Sequence, residues 1–290
     1  MTAGEIRALA VQAGIGPGVT VLDVCCGVGG PGRFLTRELA CVYLGVDVSA
    51  TAVALARERA GDLPCRFATA HVPPLPAGQF EVVLLLETML AFEDKDALLR
   101  EIAAALRPGG RLAFTLEEGP PLTAADRAAM PDADTVWPIP FDELATSLER
   151  AGLAVTRQED HSRAHRATAL ALADAFDAEA EEIAARIGWR ALDELRAAHR
   201  LWIEWLEEGR VRKLALVAER ASAGAARLLG DHEHGQQRGE QRRHDQPVDV
   251  ADERHGCEQC DEGDDPRAAL HLSEPGGAGH QSAQEGRGTS

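Results

Sequence analysis

The sequence contains no Phe, Trp or Tyr after Trp205, and from Asp231 to Ser290 its only large aliphatic residues are Val248, Val250, Leu270 and Leu272. A segment so poor in apolar side chains cannot bury enough surface to offset the entropy of ordering it. Residues 231–290 are therefore expected to be a disordered acidic tail, with a folded domain over 1–222, a length that suits one α/β domain with a decoration. Positive charge is also scarce: 47 acids stand against 30 bases, a formal net charge of −17. Nucleic-acid binding needs a basic footprint for phosphates, and docking on anionic lipid needs a basic patch, so neither nucleic acid nor a membrane is expected as a partner. No apolar run reaches membrane-spanning length and no basic-then-apolar leader opens the sequence, which makes the cytoplasm the expected location. Cysteine is sparse, with six in 290 residues. Cys25, Cys26, Cys41 and Cys65 read as reduced buried thiols, three of them in or beside apolar strand-like runs. Cys257 and Cys260 form a C-x-x-C in the tail near His255 and His271. Without a second ligand pair at proper spacing and a fold around it, no metal site is expected.

What the first 222 residues do contain is strand and helix in strict alternation. Residues 4–13 place Ile6, Leu9, Ala10 and Ala13 on one helical face. TVLDVCC reads as a buried strand, PGRFLTRELA as a helix with Pro31 in its first turn, and CVYLGVDVS as the next strand. SATAVALARERAG is a helix capped by Ser49 or Thr51 and stopped at Gly61. CRFATA and the fully apolar FEVVLLLE are strands. DKDALLREIAAAL is a helix with Leu98, Leu99, Ile102 and Leu106 on its inner face, ended by RPGG before the strand RLAFTLE. FDELATSLERAGL (a helix), AVTRQED (a strand), a long helical tract over about 164–208 and the strand RVRKLALVAE complete the domain. Such alternation predicts a parallel sheet with right-handed crossovers, an α/β doubly wound fold.

The candidate site begins at DVCCGVGGPG, residues 23–32. A strand ending in a glycine-rich turn that opens a helix aims backbone N–H groups and a positive dipole end at a ligand. Gly27, Gly29 and Gly32 spell G-x-G-x-x-G, as in dinucleotide-binding proteins, and small residues let a ligand approach the main chain. Asp47, closing the second strand, is placed to accept hydrogen bonds from both hydroxyls of a ribose. A dinucleotide and another nucleoside cofactor fit equally to this point. Three features separate them: Asp23 lies at the strand end, where it repels a pyrophosphate but supports a loop holding a cationic group; no second substrate domain follows; and the sheet continues to a closing strand. Competing readings are an NAD(P)-dependent oxidoreductase and a non-catalytic cofactor-binding protein.

VLDVCCGVGG, LGVDVS, FEVVLLLETMLAFED and LLREIAAALRPGGRLAFT, in this order and spacing, resemble the motifs of the class I S-adenosylmethionine-dependent methyltransferases. The likeness covers about residues 4–220. It implies a Rossmann-like seven-stranded sheet whose last strand runs antiparallel, with a helical insertion between the sixth and seventh strands. It also implies that Asp23, Cys25, Cys26, Gly27 and Gly29 shape the pocket for the methionine end of S-adenosylmethionine. By the same likeness Asp47 binds the ribose, Val48 packs on the adenine, and Leu86 and Glu87 lie beside the methionine part and the methyl group. Two positions depart from the family pattern. Cys25 stands where a glycine is usual, so no positive φ is expected there. Ala70-His71-Val72 stands where Gly-Asp-Ala is frequent, which leaves Val72 and backbone groups to contact the adenine.

Acceptor-facing groups are expected at the carboxyl ends of the strands: Glu87, the candidate catalytic group, with Met89, Glu117 and Trp137. Trp202 joins them from the helical tract, whose layout resembles the sarcosine and phosphoethanolamine branch of the family and implies a lid over a small acceptor. His161 and His165, four apart in HSRAH, read as an exposed helix start. The acceptor atom (N, O, C or S) and the oligomeric state are not legible.

Overall fold

The apolar runs form one seven-stranded sheet in a computed structural model that describes residues 1–222. The tail expected over 231–290, with Cys257 and Cys260, lies outside the described residues. The strands are β1 (Thr20–Val24), β2 (Val42–Asp47), β3 (Cys65–Thr69), β4 (Phe80–Leu85), β5 (Leu106–Glu118), β6 (Leu153–Asp160) and β7 (Arg212–Arg220), in the order β3-β2-β1-β4-β5-β7-β6. The β1–β2, β2–β3, β1–β4 and β4–β5 pairs are parallel; β7 runs antiparallel to both β5 and β6.

Helices cover both faces because successive strand residues point to opposite sides. Val21 of β1 joins Leu9, Leu35, Tyr43 and Val82 in one apolar cluster, while Leu22 joins Val83, Leu98, Ile102 and Leu144 in the other. Leu22, Leu35, Leu98 and Ile102 are fully buried, each contributing about 2 kcal/mol of apolar transfer. The helices start where the caps allow. Thr2 and Glu5 form a capping box for α1 (Ala3–Gln12), and α2 spans Gly30–Leu39. Ser49 accepts from the Ala52 amide for α3 (Ala50–Ala60), and Asp94 accepts from Ala97 for α4 (Lys95–Ala105). After β5 come α5 (Ala124–Ala129) and α6 (Phe141–Arg150).

Two features differ from the sequence expectation. The RPGG stretch is not a separate turn: α4 passes directly into β5, and Leu106 already pairs with Phe80, with a bulge between Phe80 and Val82. Gly110 permits this, since a Cβ there would meet the Arg107 carbonyl at 2.8 Å and the Phe80 carbonyl at 3.1 Å. The single helical tract is three helices, α7 (Ser162–Ala178), α8 (Ala180–Ile187) and α9 (Trp189–Glu207), broken at Glu179 and at Gly188, whose φ is +86°. The strand order reverses on either side of β1 and β4, where open α/β sheets leave a crevice outside the strand ends.

Candidate active site

The β1–α2 loop is built from alternating left-handed residues: Cys25 (φ +63°), Gly27 (+53°) and Gly29 (+70°). The expectation that Cys25 avoids positive φ is therefore wrong. The loop turns sharply at this position whatever residue occupies it, and a non-glycine there carries about 1–2 kcal/mol of backbone cost. Two contacts hold the loop to β2. The Cys26 amide donates to the Val46 carbonyl at 2.9 Å, and the Gly27 amide donates to Asp47 Oδ2 at 2.8 Å. The other Asp47 oxygen, Oδ1, accepts from the Ser49 amide at 2.9 Å. Asp47 thus ties the glycine loop to the end of β2 and retains lone pairs on both oxygens.

Asp23 is buried at 2% exposure and accepts a hydrogen bond from the Tyr43 hydroxyl. Gly32 makes room for that tyrosine, because a Cβ at this position would run into the Tyr43 ring. Burial pushes the Asp23 carboxyl up to about 7; the Tyr43 bond opposes the shift and the nearby Asp47 charge adds to it. Since the folded value lies above the ordinary 3.8, the unfolded chain ionises first as pH rises. Asp23 therefore costs stability progressively from pH 3.8 to about 7, and the cost is complete above that. Asp23→Asn should raise the urea midpoint at pH 8 and leave it unchanged at pH 3.5; an equal shift at both pH values would contradict this. The neighbouring thiols are protonated at neutral pH. Burial, with the charges of Asp47 and Asp23, pushes Cys25 up to about 11 and Cys26 to about 12, so neither is a nucleophile.

Asp23, Cys25, Cys26, Gly27, Leu86 and Glu87 line a single cavity of about 290 Å³ together with Met1, Ile6 and Pro31. A Cβ on Gly27 would meet nothing within 4 Å. Asp47 stands behind this wall through its bond to Gly27. The remaining cofactor-facing candidates lie elsewhere. Gly29 does not line the cavity: its missing side chain makes room for Phe67, whose ring a Cβ would approach to 2.6 Å. Val48 is 57% exposed just beyond β2, and Val72 packs at the edge of the core.

Glu87 follows β4 with φ +61°. Its amide donates to Thr115 Oγ1 at 2.7 Å, and that hydroxyl donates to Glu87 Oε1 at 3.2 Å. Lys213 Nζ lies 2.7 Å from the same oxygen and also bonds Glu117 Oε1. Burial pushes Glu87 up, but the Lys213 charge and hydrogen bond outweigh it and hold the carboxyl below its ordinary 4.5. Glu87, the candidate catalytic group, is thus held as a carboxylate bonded to Lys213 at the cavity wall. Glu117 is buried against Lys213, and its Oε2 has no partner among the described residues.

The other acceptor-facing candidates do not line this cavity. Met89 is fully buried in the core beneath α4. Trp202 stacks edge-on against Trp205, 5.3 Å between ring centroids, in a small apolar cluster with Leu122 and Val211. Trp137 sits under the Arg127 guanidinium at 4.3 Å and donates to the Asp134 carbonyl. It lines a wider hollow of about 560 Å³ with Lys95, Glu143 and Arg150, which no residue of the glycine loop reaches. Among the described residues no cluster of three or more His, Cys, Asp or Glu could hold a metal ion.

Lys213, Thr115 and Tyr43 were not foreseen. Lys213 had a signal: the chain has two lysines among its 30 Lys and Arg residues, Lys95 and Lys213. Both are buried, at 6% and 2% exposure. A lysine inside an apolar strand, in a chain that otherwise uses arginine, marks a place where a compact charge is needed.

A family model described as a methyltransferase domain matches residues 21–110. Residues 21–110 are thus similar to a methyltransferase domain. The seven-stranded order with a reversed β7 is the fold of the class I S-adenosylmethionine-dependent methyltransferases. Methyltransferase GfsG of Streptomyces halstedii is 31% identical over 176 residues, 56% of this chain and 63% of that protein. The 27-O-demethylrifamycin SV methyltransferase of Amycolatopsis mediterranei is 31% identical over 171 residues, 55% of this chain and 63% of that protein. Phosphoethanolamine N-methyltransferase 1 of Arabidopsis thaliana is 34% identical over 100 residues, 33% of this chain and 20% of that protein. The chain thus spans less than two thirds of the length of these relatives. Among solved structures, the [4+2]-cyclase SpnF superposes with a TM-score of 0.65 at 25% identity, covering 76% of this chain and 82% of SpnF. The chain therefore shares its fold with a protein whose name states a cyclisation. No helix among the described residues is long and apolar enough to cross a membrane.

Proposed function

We propose that this chain transfers a methyl group from S-adenosylmethionine to a small-molecule acceptor. The observation that carries the reading is that Asp23, Gly27, Leu86 and Glu87, from two separate sequence motifs, line one cavity whose loop is latched to Asp47 of a third. The residues present fit this cofactor. Gly27 leaves main chain open to the cavity, and two buried or latched carboxylates suit a ligand with a cationic methionine end and a ribose. Asp47 would accept from the ribose hydroxyls, Asp23, Cys26 and Gly27 would bound the methionine end, and Val48 would cover one adenine face. When bound, S-adenosylmethionine supplies an electrophilic methyl on a sulfonium.

The work left to the protein is to align the acceptor with that methyl at near-attack distance and exclude water. Leu86 and Glu87 form the wall nearest the reacting atoms in this reading, with α7–α9 as a lid that favours a small acceptor over a polymer. Four free thiols, Cys25, Cys26, Cys41 and Cys65, favour a reducing compartment, the cytoplasm. Thermal shift is the first test. S-adenosylhomocysteine at a hundred times its dissociation constant should stabilise the protein by about 2.7 kcal/mol, whereas NADH should have no effect. Transfer is then read as tritium moved from labelled S-adenosylmethionine to phosphoethanolamine or to 27-O-demethylrifamycin SV. Stabilisation by NADH alone would refute the reading; cofactor binding without transfer to any of a panel of amines, alcohols and phenols would favour a non-catalytic role.

A further inference from the structure

The wider hollow of about 560 Å³ shares no lining residue with the glycine-loop cavity and has no part in the methyl-transfer reading. It lies where the start of α4, the segment around Trp137 and α6 meet, and Lys95 belongs to its wall. Lys95 is buried at 6% exposure. Its Nζ donates to the Phe92 carbonyl and to the Trp137 carbonyl, both at 2.7 Å. Among the described residues no carboxylate pairs with it. The adjoining acids are committed elsewhere: Asp94 caps α4 through the Ala97 amide at 2.8 Å, and Asp96 pairs with Arg150 at 2.9 Å.

Two carbonyl acceptors are the complement of a neutral amine. An ammonium has three N–H donors to place, whereas a neutral amine donates through both of its N–H groups and carries a lone pair where the third proton was. Burial works in the same direction and pushes Lys95 down to about 8, because a desolvated charge without a partner is costly. Lys213 is the contrast within the same chain. It is an ion-paired ammonium, bonded to Glu87 Oε1 at 2.7 Å and to Glu117, and an ammonium has no lone pair to offer. An unprotonated lysine amine at a cavity wall is a nucleophile toward carbonyl carbon.

The walls state which carbonyl compounds fit. Trp137, Pro138 and Ile139 supply apolar surface, and Glu93 and Glu143 present exposed carboxylates. The other cation of the lining, Arg150, is held by Asp96 and Ser147. This rim repels a carboxylate or a phosphate.

We propose that Lys95 forms an imine with an uncharged aldehyde of apolar body seated in this hollow. The Lys95 lone pair bonds to the aldehyde carbon while the C=O π pair moves to oxygen. Nitrogen loses a proton and oxygen gains one through solvent, which gives a carbinolamine. The nitrogen pair then closes C=N as the C–O bond breaks, the last N–H proton leaves with the oxygen, and one water is released. No oxidant or reductant is consumed. The site is independent of methyl transfer.

Reductive trapping on the full chain tests this. Benzaldehyde and sodium cyanoborohydride are added near pH 8, with Nα-acetyl-lysine in the same tube as a reference amine. Lys95 should gain a benzyl group at least about tenfold faster than Lys213, since each unit of pKa is about tenfold in free amine. Peptide mass spectrometry separates the two, the only lysines of the chain. Glyoxylate, an anionic aldehyde, should label Lys95 at least about tenfold less than benzaldehyde does relative to the reference amine, a repulsion of about 1.4 kcal/mol. Glu143→Gln, a change at an exposed position, should narrow that gap. An unlabelled Lys95 beside a labelled reference amine, equal labelling of Lys95 and Lys213, or glyoxylate labelling that matches benzaldehyde would overturn the proposal.

Discussion

Asp47→Ala should lower the affinity for S-adenosylhomocysteine by about 10²–10³-fold. Both oxygens of this carboxylate are already bonded, one to the Gly27 amide at 2.8 Å and one to the Ser49 amide at 2.9 Å. The substitution therefore removes two things together: the charged acceptor for the ribose hydroxyls and the tie that holds the glycine loop in its left-handed turns. Hydrogen bonds to a charged group contribute about 1.5–3 kcal/mol each, and each 1.4 kcal/mol is about tenfold in affinity. Asp47→Asn keeps one carbonyl oxygen and should fall between the wild type and Asp47→Ala. Titration calorimetry reads the effect directly; an Asp47→Ala protein that binds within about threefold of wild type would show that the ribose is held elsewhere.

Lys213→Met should be the most destabilising single change at the site. It leaves Glu87 and Glu117 facing each other without the ammonium that bonds both. Removing one partner of a buried ion pair costs about 3–5 kcal/mol. The low end is expected here, because the Glu87 side chain keeps 37% exposure and water screens part of the loss. The cost should depend on pH in a fixed sense. Glu87 is held below its ordinary 4.5 in the folded wild type, so its bond to Lys213 contributes fully above pH 4.5 and is lost as pH falls through the lowered value. Wild type and variant should therefore differ strongly in urea midpoint at pH 7 and converge in acid. A difference that stays constant with pH would mean that Lys213 acts by packing alone.

Much of the architecture was legible because it follows from local rules. Apolar runs of strand length, Ser49 and Asp94 at helix starts and Gly61 at a helix end each state their structure within a few residues. Trp202 and Met89 show the limit of that reasoning. Both lie near the motifs that suggest an acceptor pocket, yet one packs against Trp205 and the other is sealed beneath α4. Spacing alone does not tell which face of a turn or helix meets the cavity. His165 erred in the opposite direction. Its sequence context is polar and reads as exposed, but it is half-buried on α7, whose start is pinned onto β7 by the Lys213–Ser162 bond between residues 51 positions apart.

The sequence by itself determined the order of strands and helices, the glycine loop with an acid closing the next strand, and the crevice where the two meet, since each depends on neighbours along the chain. Tertiary structure alone decided that Cys25 takes a left-handed turn, that Asp47 latches Gly27, and that Glu87, Glu117, Lys213 and His165 share one electrostatic neighbourhood. The physical reason is that charge and hydrogen-bond geometry act through space. Reversing β7 brings Lys213 opposite Glu117 in register, and only that pairing gives the two carboxylates a common cation.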